Sequence, residues 1–453
     1  MSTTKNNKAT QKALADRHDA LCDKFQENFK NGRKYIVSLN NKGIMTEPYR
    51  ELPEKTFSDI SWRISETVNS VRPYDNTELV TEILKLRLEY AKNEYAASYS
   101  QLRFKQSETL FNNPSEVSDY LMAFMKKCYD GLKKERIEIQ QTYPYFKNIS
   151  VIPSAEKNSY LKEKYGNLTR DFSYDRVLTS VVELLNHLYG IEWVQNAPLL
   201  WTLSKGDKKA QLKIDLFNYS NAVPGAHYAN CTLKDENGIK KYEVLAASSN
   251  KTRKTLSIEE VRFFLMSLGN IVFDLLYQGN DKKKVPVEIK SGCRRFLGQF
   301  AHDAKLIESF GADANEAKLL AESVIAGLNT EYFVEALKAL IDVEVHNVSD
   351  EKIYDDLKVL ENSIIRRVYD TLRDEHLFPE YLDSDILSLT NMSNVFAKGR
   401  GAYAYLNLAG EKVAEYLYSE YEKNPSFIQQ IASLWKGNAL YDKLVSVDFY
   451  MND

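Results

Sequence analysis

Cysteine and histidine are scarce, four and six among 453 residues. Cys22, Cys128, Cys231 and Cys293 lie far apart with no Cys-x-x-Cys pair, which excludes a disulfide framework and a thiolate zinc site of the usual spacing. None of His18, His187, His227, His302, His346 and His376 has another histidine four residues away. Charge of one sign is lacking as well. Sixty Lys and Arg stand against sixty-three Asp and Glu, a net charge of −3. There is no basic excess to follow a phosphate backbone, so nucleic acid is not an expected partner. The most apolar run, Phe263 to Phe273, is far shorter than the ~20 residues of a membrane-spanning helix. Residues 1–12 are polar and carry no apolar stretch of a secretory signal. A soluble, cytoplasmic protein without a membrane partner is the expectation.

What the chain does have is an ordinary globular composition, 43% apolar and 27% charged. A chain of this mass buries about three quarters of its unfolded surface, enough for a large core that needs no metal to fold. Length alone suggests about three domains at roughly 150 residues each. No repeat or Pro/Gly-rich linker divides the sequence, however, so one body from residue 76 to 453 behind an N-terminal helical arm (1–75) is expected.

Helical periodicity covers most of the chain. A thin apolar stripe (Leu14, Leu21, Phe25, Phe29) marks a peripheral helix over 9–30. Apolar spacing predicts a helix from Thr77 to Gln106, another from Asn113 to about Gln141, and one over 173–189 closed by Gly190. Within about 196–248 the period changes. Short segments at Leu199–Leu203, Gln211–Phe217, His227–Leu233 and Lys241–Ala247 alternate with turns such as Lys205-Gly206-Asp207 and Asn237-Gly238, which predicts a small antiparallel sheet. Helices resume at 258–278, 286–308, 314–342, 350–370, 402–422 and 425–436. The fold class expected is mainly α with a small β insertion.

Ser257-Ile258-Glu259-Glu260 has the spacing of a capping box. The helix it opens, Glu260-Val261-Arg262-Phe263-Phe264-Leu265-Met266-Ser267-Leu268-Gly269-Asn270, resembles the active-site helix of the thimet oligopeptidase and oligoendopeptidase F family of zinc metallopeptidases, where Glu-Val and an apolar stretch precede His-Glu-Phe-Gly-His. Further pieces follow in the family's order. Leu86-Arg87-Leu88-Glu89-Tyr90-Ala91 with Arg103-Phe104-Lys105, Phe172 to Gly190 with Ile191-Glu192-Trp193, Leu212-x-x-Asp215-Leu216-Phe217, Val287-Glu288-Ile289-Lys290-Ser291 and Tyr403-Ala404-Tyr405-Leu406 each resemble a family segment. The likeness spans roughly residues 75–425, in a chain shorter than family members, mainly at the N-terminus.

The resemblance implies a helical oligopeptidase-like body, with Met266 and Asn270 at the positions of two zinc-binding histidines, Ser267 at that of the general-base glutamate, and Glu288 at that of the third ligand. Zinc takes imidazole, thiolate or carboxylate donors, and a thioether and an amide replace two of them. Ser267 cannot serve as the base that activates a metal-bound water. No catalytic residue, metal ligand set or cofactor is therefore expected intact. The resemblance leaves Glu288, Asn270, Tyr403 and Tyr405 as candidates for binding a peptide. Ser393 and Lys398 fall where the family has another histidine and tyrosine.

The expectation is a catalytically inactive pseudopeptidase that binds a peptide or protein. One alternative is an active metallo-oligopeptidase with a rebuilt zinc site of Glu288 with carboxylates such as Asp274 or Glu259; the other is a scaffold or secreted effector. Each candidate has a plainer reading. Met266, Leu268 and Phe273 suit core filling. Asn270 is a buried amide in want of partners. Glu288 suits a salt bridge to Lys290 or Arg295, His302 a packed residue, and Lys282-Lys283-Lys284 a solvated turn or, with Arg294 and Arg295, an anion-attracting patch. The 29 tyrosines suit a peptide channel or the core boundary.

Overall fold

The computed structural model describes residues 11–28, 76–142, 160, 164–165, 171–217, 227–232, 239–246, 254–276, 285–373, 389–396 and 401–426. The turn at Asn237-Gly238, the lysines at 282–284, Lys398 and the helix expected over 425–436 lie largely or wholly outside them, as does most of the arm over 1–75. The fold is mainly α with a small β insertion.

Contacts divide the chain into two compact units. The first comprises Met1–Ser107, Phe111–Lys164 and Leu328–Tyr405; the second comprises Glu108–Leu110, Tyr165–Gly327 and Leu406–Asp453. The sequence suggested one body because these boundaries carry no linker composition; one of them falls inside a helix.

In the first unit, helix α1 covers residues 11–28. The stretch expected as one helix from Thr77 is two, α2 (Thr77–Asn93) and α3 (Tyr99–Gln106). The break has a local cause: Tyr95 takes a φ of 56°, and the Ser98 hydroxyl accepts the Gln101 amide at 3.2 Å, capping a new helix. Helix α4 (Pro114–Thr142) follows as expected.

In the second unit, β1 (Phe172–Ser173) leads into α5 (Tyr174–Tyr189), which ends at Gly190 with φ 61°, the left-handed conformation glycine adopts without a Cβ penalty. The strands β2 (Glu192–Ala197), β3 (Leu200–Lys205), β4 (Lys208–Asp215), β5 (His227–Thr232) and β6 (Lys240–Ala246) form a sheet in the order β2-β3-β4-β6-β5. The sheet begins at Glu192, a few residues before the expected insertion. It is also mixed rather than antiparallel: β4 and β6 run parallel, from Ala210 opposite Lys240 to Asp215 opposite Leu245. Alternating apolar residues mark each strand but not its neighbour, and here the β5–β6 pair packs with its second strand inward. A two-stranded ribbon joins β1 to β7 (Thr255–Leu256).

Helix α6 (Ile258–Leu276) opens with the expected capping box: Ser257 N donates to Glu260 Oε2 at 2.7 Å and Glu260 N to Ser257 Oγ at 3.2 Å. The helix expected over 286–308 is three elements: α7 (Val287–Arg295), a 3-10 turn (Phe296–His302) and α8 (Ala304–Ser309), the last capped by Asp303 accepting the Lys305 and Leu306 amides. Helix α9 (Ala314–Val345) contributes to both units. A 3-10 turn (Glu351–Asp356) and α10 (Leu357–Arg373) replace the single helix expected over 350–370. After the short α11 (Ser393–Phe396), α12 covers Leu406–Lys423, so Tyr403 and Tyr405 precede it rather than lie on it. The second unit's core joins α5, the inner face of β3, β4 and β6, α6, α7 and α12. No described helix is long and apolar enough to cross a membrane.

Candidate functional site

The helix that resembles an active-site helix is held by close packing. A Cβ on Gly269 of α6 would stand 1.8 Å from the Arg294 carbonyl oxygen of α7, and one on Gly298 would stand 2.5 Å from Met266 Cγ. Gly269 thus faces Arg294 while Met266, earlier on α6, faces Gly298, later in the chain. The two segments run antiparallel at contact distance. Met266 lies in the seam, over Gly298, but is half-buried rather than the core residue expected. Leu268 and Phe273 are core residues, in line with their plainer reading.

Ser267 is buried and donates its hydroxyl to the Phe263 carbonyl at 2.8 Å. Asn270 is half-buried, and its amide nitrogen lies 3.4 Å from the Met266 carbonyl of the same helix. It is not the buried amide expected: on the rim of the seam it answers its own backbone.

Glu288 is fully buried in the first turn of α7, where the helix dipole favours a negative charge. Its carboxylate accepts the Thr109 hydroxyl and, at 3.1 Å, the Leu110 amide, while Val287 N donates to the Glu108 carbonyl at 3.0 Å. This glutamate clasps residues 108–110 to α7. The salt bridge to Arg295 does not form: Arg295 bonds Glu411 at 2.9 Å and Asn407 at 2.9 Å. Nor does Glu288 lie level with Met266 and Asn270. It precedes Arg294, the residue facing Gly269, by about 9 Å of helix axis.

The carboxylates named for a rebuilt zinc site are spread along α6 and α7. Glu259 and Asp274 sit at opposite ends of α6, about 22 Å apart along its axis, so at most one of them could join Glu288 at an ion. Asp274 faces Tyr242 OH at 3.5 Å and the cations of Arg294 and Lys240 at 3.9 and 4.0 Å. Among the described residues, no three His, Cys, Asp or Glu side chains are grouped to hold a metal ion. Met266, Ser267, Asn270 and Glu288 do not fit zinc.

Tyr403 and Tyr405 belong to the first unit. Tyr403 OH donates to the Arg103 carbonyl at 3.1 Å and bonds the Ser107 hydroxyl, with the Arg103 guanidinium 4.2 Å above its ring. Tyr405 is wholly buried, stacked on Phe104 and edge-on to Phe111. Burial withholds its ring from a ligand in this arrangement.

Two buried polar clusters escaped sequence reasoning. In the first unit, Arg87 bonds His346 Nε2 at 2.9 Å, His18 Nε2 at 3.2 Å and the Val395 carbonyl at 2.9 Å. His346 Nδ1 lies 3.0 Å from Asp342 Oδ1, and Asp342 accepts the Ala402 and Ala404 amides at 2.9 Å each. Burial lowers the His346 pKa, against the pull of Asp342. In the second unit, Glu411 accepts from Arg262 at 3.1 Å, Arg295 at 2.9 Å and Gln299 at 2.6 Å. Burial works to raise its pKa, but the two guanidiniums outweigh burial and hold it below the usual carboxylate range. His302, beside this cluster, is pushed down to about 4 by burial and then by Arg262. The available signal was a charged residue inside an apolar helical run: Ile341-Asp342-Val343 with His346 one turn on, and Gly410-Glu411 before Val413-Ala414.

A groove of about 330 Å³ in the first unit, lined by Glu344, Asn347, Val348, Ile353, Leu360 and Arg367 among others, contains none of the candidates named from sequence. These features define a mainly helical protein whose motif-bearing helix is a packing element. In comparisons with known proteins, the chain matches no family model and no curated protein.

Proposed function

We propose that this chain is a non-catalytic, oligopeptidase-like protein that binds a peptide or protein. The observation that carries the reading is the fate of three α6 positions and of Glu288 on α7. Met266 fills a helix seam, Ser267 and Asn270 answer their own helix, and Glu288 is spent on residues 108–110. None is left to hold a metal or activate water, so amide hydrolysis by the zinc route has no starting point. A binding role is supported by β2. Five of its six residues are exposed, and among the described strands it pairs with β3 alone, which leaves one edge open to an extended backbone.

The test combines quenched fluorogenic peptides with fluorescence anisotropy of an extended labelled peptide, both in excess zinc and in chelator. The expected result is no turnover and an anisotropy rise that chelator leaves unchanged. Chelator-sensitive turnover would overturn the non-catalytic half, and an absence of binding across a varied peptide set would overturn the other.

A further inference from the structure

The described α1 is moored to its unit by little apolar surface. Only Cys22 and Phe25 of its side chains are buried, Phe25 with its ring 5.7 Å from that of Phe396. The polar moorings are Gln11 to Glu94, Arg17 to Glu82, Asn28 to Asn76 at 2.9 Å, and His18 to Arg87. The first two lie at or near the surface, where such bonds contribute little, and the third ends on the buried Asn76 with an uncharged amide that does not titrate. The fourth reaches a guanidinium that is itself 1% exposed, between the rings of Tyr99 and Phe396.

A guanidinium only donates. His18 and His346 both meet Arg87 through Nε2, so both must present that nitrogen unprotonated. His346 keeps its proton on Nδ1, toward Asp342. His18 keeps its proton on Nδ1, 3.3 Å from Asp19 Oδ1. A second proton on His18 removes the acceptor and sets imidazolium against guanidinium at hydrogen-bond distance.

We propose that His18 and Arg87 form an acid-sensitive latch: at neutral pH the bond docks helix α1 on the first unit, and protonation of His18 in mild acid releases it.

The groups that face His18 support this reading. From its own helix come Asp19 and the Cys22 thiol, 3.5 Å from Nε2; Arg17 is turned to Glu82. From α2 comes Arg87. Beyond it, at the end of α9, lie His346 and Asp342, and α11 offers only the Val395 carbonyl and the Phe396 ring. Among the described residues near it, Asp19 alone favours the imidazolium, and its side chain is 80% exposed, so water screens its pull. Burial, followed by the Arg87 charge, holds the His18 pKa below the ordinary histidine value. His346 shares the chemistry but not the access. Its side chain is fully buried, that of His18 18% exposed, so the proton reaches His18 first.

Hydrogen exchange of the full chain, with rates corrected for the intrinsic pH effect, tests this between about pH 7.5 and about pH 5.5. Amides of α1 should lose protection relative to those of α6, by up to about tenfold per pH unit below the histidine range, as one linked proton requires. His18→Gln supplies a carbonyl acceptor that does not titrate, and should keep α1 protected throughout. The proposal is overturned if wild-type α1 protection does not change with pH relative to α6. It is equally overturned if His18→Gln keeps the wild-type slope, or if that variant lacks α1 protection at every pH.

Discussion

Arg87 in the first unit and Glu411 in the second are 1% and 2% exposed, and their neighbours compensate them by opposite means. Glu411 is surrounded by donors that carry permanent charge, Arg262 and Arg295, together with the neutral Gln299. Arg87 is surrounded by neutral acceptors, two imidazoles and a carbonyl, and meets a negative charge, Asp342, only through His346. Guanidiniums hold their charge at any working pH, whereas imidazoles change theirs just below neutrality. The bonds of the first cluster therefore change in mild acid and those of the second do not, although the pKa of His302 beside the second cluster is itself held down at about 4. The partners of the central charge, rather than its burial, decide which cluster's bonds titrate.

That contrast is broken most forcefully at Asp342. Asp342→Ala removes the acceptor for the Ala402 and Ala404 amides and the anion behind His346 and Arg87. A loss of about 3–5 kcal/mol is expected in urea unfolding followed by first-unit signals. Glu411→Gln should cost the second unit less, about 2–3 kcal/mol, because Arg295 is one-fifth exposed and water recovers part of its solvation. Gly269→Ala leaves both clusters intact but drives a Cβ into the Arg294 carbonyl, for about 1–3 kcal/mol read from the same second-unit transition. Glu288→Gln should be milder, about 1–2 kcal/mol, since an amide oxygen still accepts from Thr109 and Leu110.

Acid sharpens the comparison without mutation. His18 and His346 have native pKa values below the ordinary 6.5, so the unfolded chain binds more protons. Their contribution is complete above about 6.5 and is lost as pH falls below it. Glu411 also lies below its ordinary value, and its contribution persists until pH falls beneath the carboxylate range. First-unit amides should lose protection between about pH 6.5 and about pH 5; the second unit also loses stability over this range, through His302 with its pKa of about 4 rather than through Glu411.

Much of the fold was legible because it is written in local chemistry. The capping box at Ser257 and Glu260 and the stop at Gly190 formed as their spacing dictates. Periodicity failed where a competing cap intervenes, as at Ser98 and Asp303, and where neighbours must be chosen, as in the parallel β4–β6 pair. The residue types at Met266, Ser267 and Asn270 of α6 and Glu288 of α7 were legible. Illegible were the partners that occupy them: Gly298 beneath Met266, and Thr109 far upstream of Glu288. The Arg87 cluster draws on four separated segments, and no local pattern joins His18, Arg87, His346 and Ala402.

On the proposed reading, side chains fill the α6–α7 seam and leave no cage for an ion. Mass-spectrometric metal analysis of the protein, saturated with zinc and then dialysed, tests it most directly. The account predicts zinc far below one ion per chain; a stoichiometric ion whose retention is lost in Glu288→Ala would contradict it.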